Sequence, residues 1–197
     1  MLENFWFNVQ YGINHVLDIN GYDHLLFLMV LAVPYLFKDW KRVLILVSLF
    51  TLGHTLSLIL GSFKVVKINS ALVEFLIPLT FFIVAIYNVF TAGKFEKSSN
   101  KMSLLLLSTL FFGIVHGLGF AREFIMFAGK ADDRWLLLLE FALGIEIAQI
   151  IIVFIVLFLG FIGQTVFRFS KRDWIMVVSA LVAGMVSPML LGNEYLA

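Results

Sequence analysis

Six apolar runs of roughly 20 residues, each bounded by charge, take up almost the whole chain, and few folds tolerate that pattern. They lie near Tyr22–Phe37, Val43–Gly61, Ala71–Thr91, Met102–Phe120, Trp135–Phe167 and Trp174–Leu191. A run of that length, coiled as a helix, crosses the hydrocarbon core with every backbone bond satisfied internally. Composition agrees: 61% of the 197 residues are hydrophobic, 14% are charged and the mean hydropathy is +1.01. A soluble domain of this size could not hide so much apolar surface. The expectation is an all-α polytopic membrane protein, one transmembrane domain over residues 1–197, in contact with membrane lipids.

Ahead of the first run, residues 3–17 mix aromatic and polar side chains (Phe5, Trp6, Phe7, Asn8, Gln10, Tyr11, Asn14). Too short and too mixed to span, they predict a short interfacial N-terminal helix. It re-enters by residue 20 and is broken at Gly21, with the six-helix bundle occupying residues 22–191. The fifth run is long enough to tilt or protrude. Pro34, Pro78 and Pro188 fall inside runs and predict kinks, since each removes a backbone donor.

Other features exclude function classes. There is no cysteine, hence no disulfide, thiolate metal site, covalent haem attachment or cysteine nucleophile. A formal net charge of +1 offers no basic face for nucleic acid. Met1-Leu2-Glu3-Asn4 lacks the basic start of a signal peptide. Lys and Arg in alternate connections sort nine (Lys38, Lys41, Arg42, Lys94, Lys97, Lys101, Arg168, Lys171, Arg172) against five (Lys64, Lys67, Arg122, Lys130, Arg134). The richer side is expected to be cytoplasmic, leaving both termini periplasmic.

Under that topology the ionisable residues within the runs fall in the outer halves or near the midplane. Asp23 and His24 open the first run, and His54 lies about two helical turns below Gly61. Glu74 begins the third run, His116 sits near the end of the fourth, and Glu140 and Glu146 lie in the first half of the fifth. The opposite halves hold weaker polar groups such as Ser48, Asn88, Ser103, Ser108 and Thr109. That sorting predicts one polar cavity open to the outside.

Imidazoles and carboxylates inside a membrane are costly, so function is their default reading. His54 is flanked by Thr51 and Ser57, one turn to either side; a buried histidine bonded to a neighbouring helix is its simpler explanation. His116 stands in Gly113-Ile114-Val115-His116-Gly117, whose glycines fit close helix packing but leave the imidazole unexplained. Glu146 is the deepest carboxylate, with Gln149 one turn on; a lone protonated acid is the alternative. Glu140 points to another face of the same helix. Asp23 suits a helix N-cap as well as a partner for His24, and His15 suits an interfacial histidine or a cover over the site. Glu74, the Arg122-Glu123 pair, Met185 and Met189 read as structural. His24, His54, His116 and Glu146, with Asp23 and His15, are therefore the candidate metal ligands. Imidazole and carboxylate without thiolate suit a divalent Ni, Co or Zn ion, and less well Fe, Mn or Cu.

At these residues the chain resembles the HupE/UreJ family of bacterial membrane proteins over nearly its whole length. The resemblance rests on His15 through Asp23-His24-Leu25-Leu26-Phe27-Leu28, on Phe50-Thr51-Leu52-Gly53-His54-Thr55-Leu56-Ser57, on Phe112 through Ala121, and on Gly144-Ile145-Glu146. The spacing between His15 and the Asp-His pair is longer here than is usual for the family. The resemblance implies a six-helix permease for nickel or cobalt in the bacterial inner membrane, with His15, Asp23, His24 and His116 as the metal-handling residues. A homo-oligomer is left open.

Two other functions compete. An outward-facing intramembrane metal-dependent hydrolase of the zinc type would use three histidines, Glu146 or Asp23 as base, and a lipid or lipid-linked substrate. A haem protein with His54 and His116 as axial ligands would leave the carboxylates without purpose. Against a permease stands the aliphatic character of the inner halves, which offers an ion no visible route.

Overall fold

The computed structural model describes residues 2–18, 21–63, 65–66, 69–93, 99–129 and 133–196. Ile19 and Asn20, and Lys64, Lys67, Lys94, Lys97 and Lys130 of the orientation count, lie outside the described residues. The described residues form seven helices, α1 (Leu2–Leu17), α2 (Asp23–Ala32), α3 (Trp40–Ser62), α4 (Ser70–Thr91), α5 (Ser99–Ala128), α6 (Arg134–Thr165) and α7 (Lys171–Leu191), with no strand among them. Side-chain caps open three of these: Asn69 accepts from Leu72 N–H, Asp133 from Trp135 and Leu136, and Ser170 from Asp173, each serving backbone donors that have no partner within the helix.

α3 to α7 are long and apolar enough to cross a membrane. The first predicted run does not form such a helix. α2 has 10 residues, about half of what a hydrocarbon core requires. Pro34 is the reason. It cannot donate a backbone bond, so the chain turns after Ala32 and restarts at a short 3-10 turn, Phe37–Asp39. Pro34 therefore ends a helix, while Pro78 and Pro188 lie inside α4 and α7. α5 runs on past the expected end at Phe120 to Ala128, carrying Arg122 and Glu123 on its exposed side.

α1 is the larger departure. Instead of lying apart in the interface, it packs along the first half of α6, parallel to it. Asn8 Nδ2 donates to Glu140 Oε2 at 2.6 Å, and a turn further on Gly12 meets Gly144. A Cβ on Gly12 would overlap the Phe141 carbonyl, and one on Gly144 the Val9 carbonyl, so the two backbones touch. Val9, Gly12 and Val16 form the buried seam, while Trp6 and Phe7 are exposed. The conspicuous aromatics hide a small-residue stripe that carries the packing.

α3 and α5 make a second backbone contact, also in parallel. Gly113 lies against the Phe50 carbonyl and Gly117 against the His54 carbonyl and Ser57, the close packing expected of small residues four apart. α3 is antiparallel to α6, with Phe63 against Trp135 at one end (5.2 Å between ring centroids) and Trp40 near Phe154 toward the other (6.3 Å). α4 lies beside α7, with Phe75 stacked on Tyr195 at one end and Gly93 near Arg172 at the other. One end of the bundle thus gathers the N-termini of α1, α4 and α6 with the C-termini of α3, α5 and α7. The other end gathers the remaining termini of α3 to α7, while α1 ends beside the middle of α6; at that other end Asn88 donates to the carbonyl of Val30 in α2 at 2.7 Å.

Because α1 is held on α6 by backbone contact, Gly144→Val should cost about 2 kcal/mol or more of stability, read as thermal unfolding in detergent. Gly184→Ala, where a Cβ meets nothing within 4 Å, should not lower the transition and should stabilise by up to about 1 kcal/mol.

Candidate metal centre

Both glycine seams carry histidines. His15 is one turn beyond Gly12 on α1, His54 follows Gly53 on α3, and His116 stands between Gly113 and Gly117 on α5. His24, second residue of α2, completes the set. The chain's four histidines, scattered over 102 positions (116 less 15, plus one), converge. Ring centroids lie 4.6 Å apart for His15–His24, 4.1 Å for His24–His116, 5.6 Å for His15–His54, 5.9 Å for His24–His54 and 6.1 Å for His54–His116.

One nitrogen from each of His15, His24 and His54 falls within 4.8 Å of the other two. Ligands about 2.1 Å from one ion stand no more than about 4.2 Å apart, so a small contraction closes this group around a cation. His116, inclined against His24 and packed on Phe50 and Phe81, is the adjacent fourth imidazole.

Unmet hydrogen-bonding capacity is what makes the cluster unusual. His24 is 2% exposed and His54 0%. The Nε2 atoms of His15 and His24, and both ring nitrogens of His54, are buried with no hydrogen-bond partner among the described residues. Leaving a buried polar group unpaired costs about 1–3 kcal/mol, and buried groups in native proteins are nearly always satisfied. A metal ion is the ligand that would engage such nitrogens together, because each neutral ring presents a lone pair.

Aromatic rings close over the cluster toward the α1 N-terminus. His15 lies 3.7 Å from Phe120, which stacks on Phe141, and Tyr11 stacks on Phe127 at 3.9 Å. Sequence reasoning missed Phe120 and Phe141; the only local signal was Phe120 closing the glycine-histidine motif. The cluster is also deeper than expected, since His116 stands at the middle of the apolar stretch Leu105–Ala128 and not near its end.

The carboxylates go elsewhere. Asp23 is half-buried in the first turn of α2, and Tyr22, rather than Asp23, holds the N-cap position. Glu140 is buried and bonded to Asn8, a pairing that the sequence reading did not see. Glu146 faces α3, where Ser48 Oγ donates to it at 2.5 Å and Thr51 also bonds to it. Thr51 reaches Gln149 Oε1 at 2.8 Å as well. Glu140 and Glu146 thus point to different helices, as their angular separation on α6 requires, and Glu146 is engaged about one turn along α3 from His54. Glu74 is exposed on α4, away from the cluster.

Three outcomes follow. In the metal-free protein His54→Leu should raise stability by about 1 kcal/mol or more, since it removes two unpaired buried nitrogens at similar volume. The same substitution should weaken divalent-metal binding at least about tenfold by equilibrium dialysis. Wild-type affinity should fall as pH is lowered, because protons compete with the metal for the same imidazole lone pairs.

A family model described as HupE / UreJ protein matches residues 1–192. No curated protein and no solved structure gave a significant match.

Proposed function

The chain belongs to the HupE/UreJ family, and from that premise we propose that it binds a divalent transition-metal ion at its histidine cluster and carries the ion across the membrane. The observation that supports this most directly is the convergence of His15, His24 and His54 from three helices, with buried nitrogens that no other described group engages. His116 is the fourth donor, and Asp23 precedes His24 in the first turn of α2. Nickel and cobalt are the ions associated with this family; zinc suits the same donors.

The backbone around the cluster suits transport. α1 and α2 have 16 and 10 residues, each short of a full span, and in series they make one interrupted crossing. Irregular backbone at membrane depth is tolerated only where protein or a cavity surrounds it, and interrupted helices carry the substrate site in many transporters. His15 and His24 stand on either side of this interruption.

We take the α1 N-terminal end as the entry side, periplasmic by the distribution of Lys and Arg, in a bacterial inner membrane. A hydrolase would need a carboxylate free to act beside an open metal position. Glu146 is instead held by Ser48 and Thr51, which favours transport over hydrolysis.

Membrane vesicles holding wild type should take up radioactive nickel or cobalt saturably, and His54→Ala should lower the rate at least about tenfold. Tight stoichiometric metal on a wild-type protein that shows no uptake would defeat the transport reading.

A further inference from the structure

We propose that Ser48, Thr51, Glu146 and Gln149 form a second cation station, an all-oxygen site one helical turn along α3 from His54, where the ion rests on leaving the histidines. The proposal rests on the transport reading above and extends it by a step, since it gives the ion a place to go.

The station is assembled between α3 and α6. Ser48 Oγ bonds to one oxygen of Glu146 and Thr51 Oγ1 to the other. Thr51 Oγ1 also stands 2.8 Å from Gln149 Oε1 and 3.3 Å from the carbonyl of Val47. A threonine hydroxyl has one proton to donate, and three acceptors surround this one. Acceptors outnumber donors, and the excess includes a carboxylate.

Gln149 adds an unmet requirement of its own. Gln149 is 0% exposed, yet its Nε2 has no partner among the described residues. Rotating the amide by half a turn would let Nε2 donate to Thr51 but would strand Oε1 instead. In either orientation one polar atom of this wholly buried amide is left over. With Oε1 kept toward Thr51, a cation among the oxygens would engage the acceptors that the single hydroxyl proton cannot serve, while Nε2 would still require an acceptor of its own.

Position and chemistry then agree. Thr51 and His54 are three residues apart on α3, so they share a face, displaced by a little under one turn along the axis. The displacement is toward the α3 N-terminus, in the direction that the sequence fills mainly with aliphatic side chains. Oxygen donors hold nickel, cobalt or zinc less tightly than imidazoles do, and a stop on a route must be weak enough to leave. Ser48 is exposed and Glu146 half-buried, whereas His24 and His54 are buried.

The test uses full-length protein in liposomes with Co²⁺ as the probe, reading equilibrium binding, the visible spectrum of bound cobalt and the uptake rate. Glu146→Gln should keep the spectrum and bind Co²⁺ within about threefold of wild type, while uptake falls at least about tenfold; Glu146→Asp, which keeps the carboxylate, should recover a third or more of that rate. The unchanged cobalt spectrum also reports that the variant is folded. A Glu146→Gln protein that binds Co²⁺ much more weakly with an altered spectrum would place Glu146 among the histidines' own ligands and overturn a separate station. Uptake at the wild-type rate would overturn it too, as would uptake that loses only its pH dependence, the mark of a proton site. Failure of the transport reading itself would show in the wild-type arm, as binding without uptake.

Discussion

A buried nitrogen without a hydrogen-bond partner is tolerated only when something else compensates, and four of them crowd one place here. At about 1–3 kcal/mol each, they approach the whole margin by which an ordinary domain is stable. Burial by itself cannot account for them, since leucine or phenylalanine would fill the same space without the penalty. A bound ion would engage one nitrogen on each ring, and metal binding returns free energy to the folded state that presents its ligands. The cluster reads as a site held ready, with the metal-free protein bearing the cost.

The helices that bear the histidines are brought together by glycine. Gly12 and Gly144 let α1 and α6 touch backbone to backbone, and Gly53, Gly113 and Gly117 do the same for α3 and α5. With no side chain between them, the helix axes approach more closely than leucine or phenylalanine contacts would allow. An imidazole one turn from such a contact then reaches across to its neighbours. Glycine in a helix interior has a propensity cost of about 1 kcal/mol relative to alanine. In lipid, where apolar contacts give no solvent-driven attraction between helices, close approach is worth more.

The membrane character and the burial of His24, His54 and His116 in one polar cluster are legible because each rests on a local rule: apolar length, and the expense of an imidazole in lipid. What the sequence conceals lies in pairings between distant segments. Residues 3–17 look interfacial because Trp6 and Phe7 dominate their composition, whereas the packing stripe is Val9, Gly12 and Val16. Tyr22–Phe37 looks like a span because it contains no charge after His24, yet Pro34 halves it. The site reads too shallow because Arg122 and Glu123 look like the end of α5, which continues through them to Ala128. Ser48 and Thr51 each read as weakly polar; only the approach of Glu146 and Gln149 from α6 makes them a cluster.

The way the ligands are divided follows from the two seams. α1 and α6 form one closely joined pair, carrying His15 with Glu146 and Gln149. α3 and α5 form the other, carrying His54 and His116 with Ser48 and Thr51. Within each pair the join is backbone against backbone, where any relative shift meets hard repulsion. Between the pairs the polar joins are side-chain hydrogen bonds, such as Ser48 to Glu146 and Thr51 to Gln149. The net worth of such a bond is about 1 kcal/mol. Both polar clusters therefore lie on the weaker boundary, each drawing groups from both pairs. A displacement that preserved each seam would alter donor separations in both clusters together, while one confined within a pair would have to break a glycine contact first. The donor separations in both clusters are thus set by how the two pairs sit against each other.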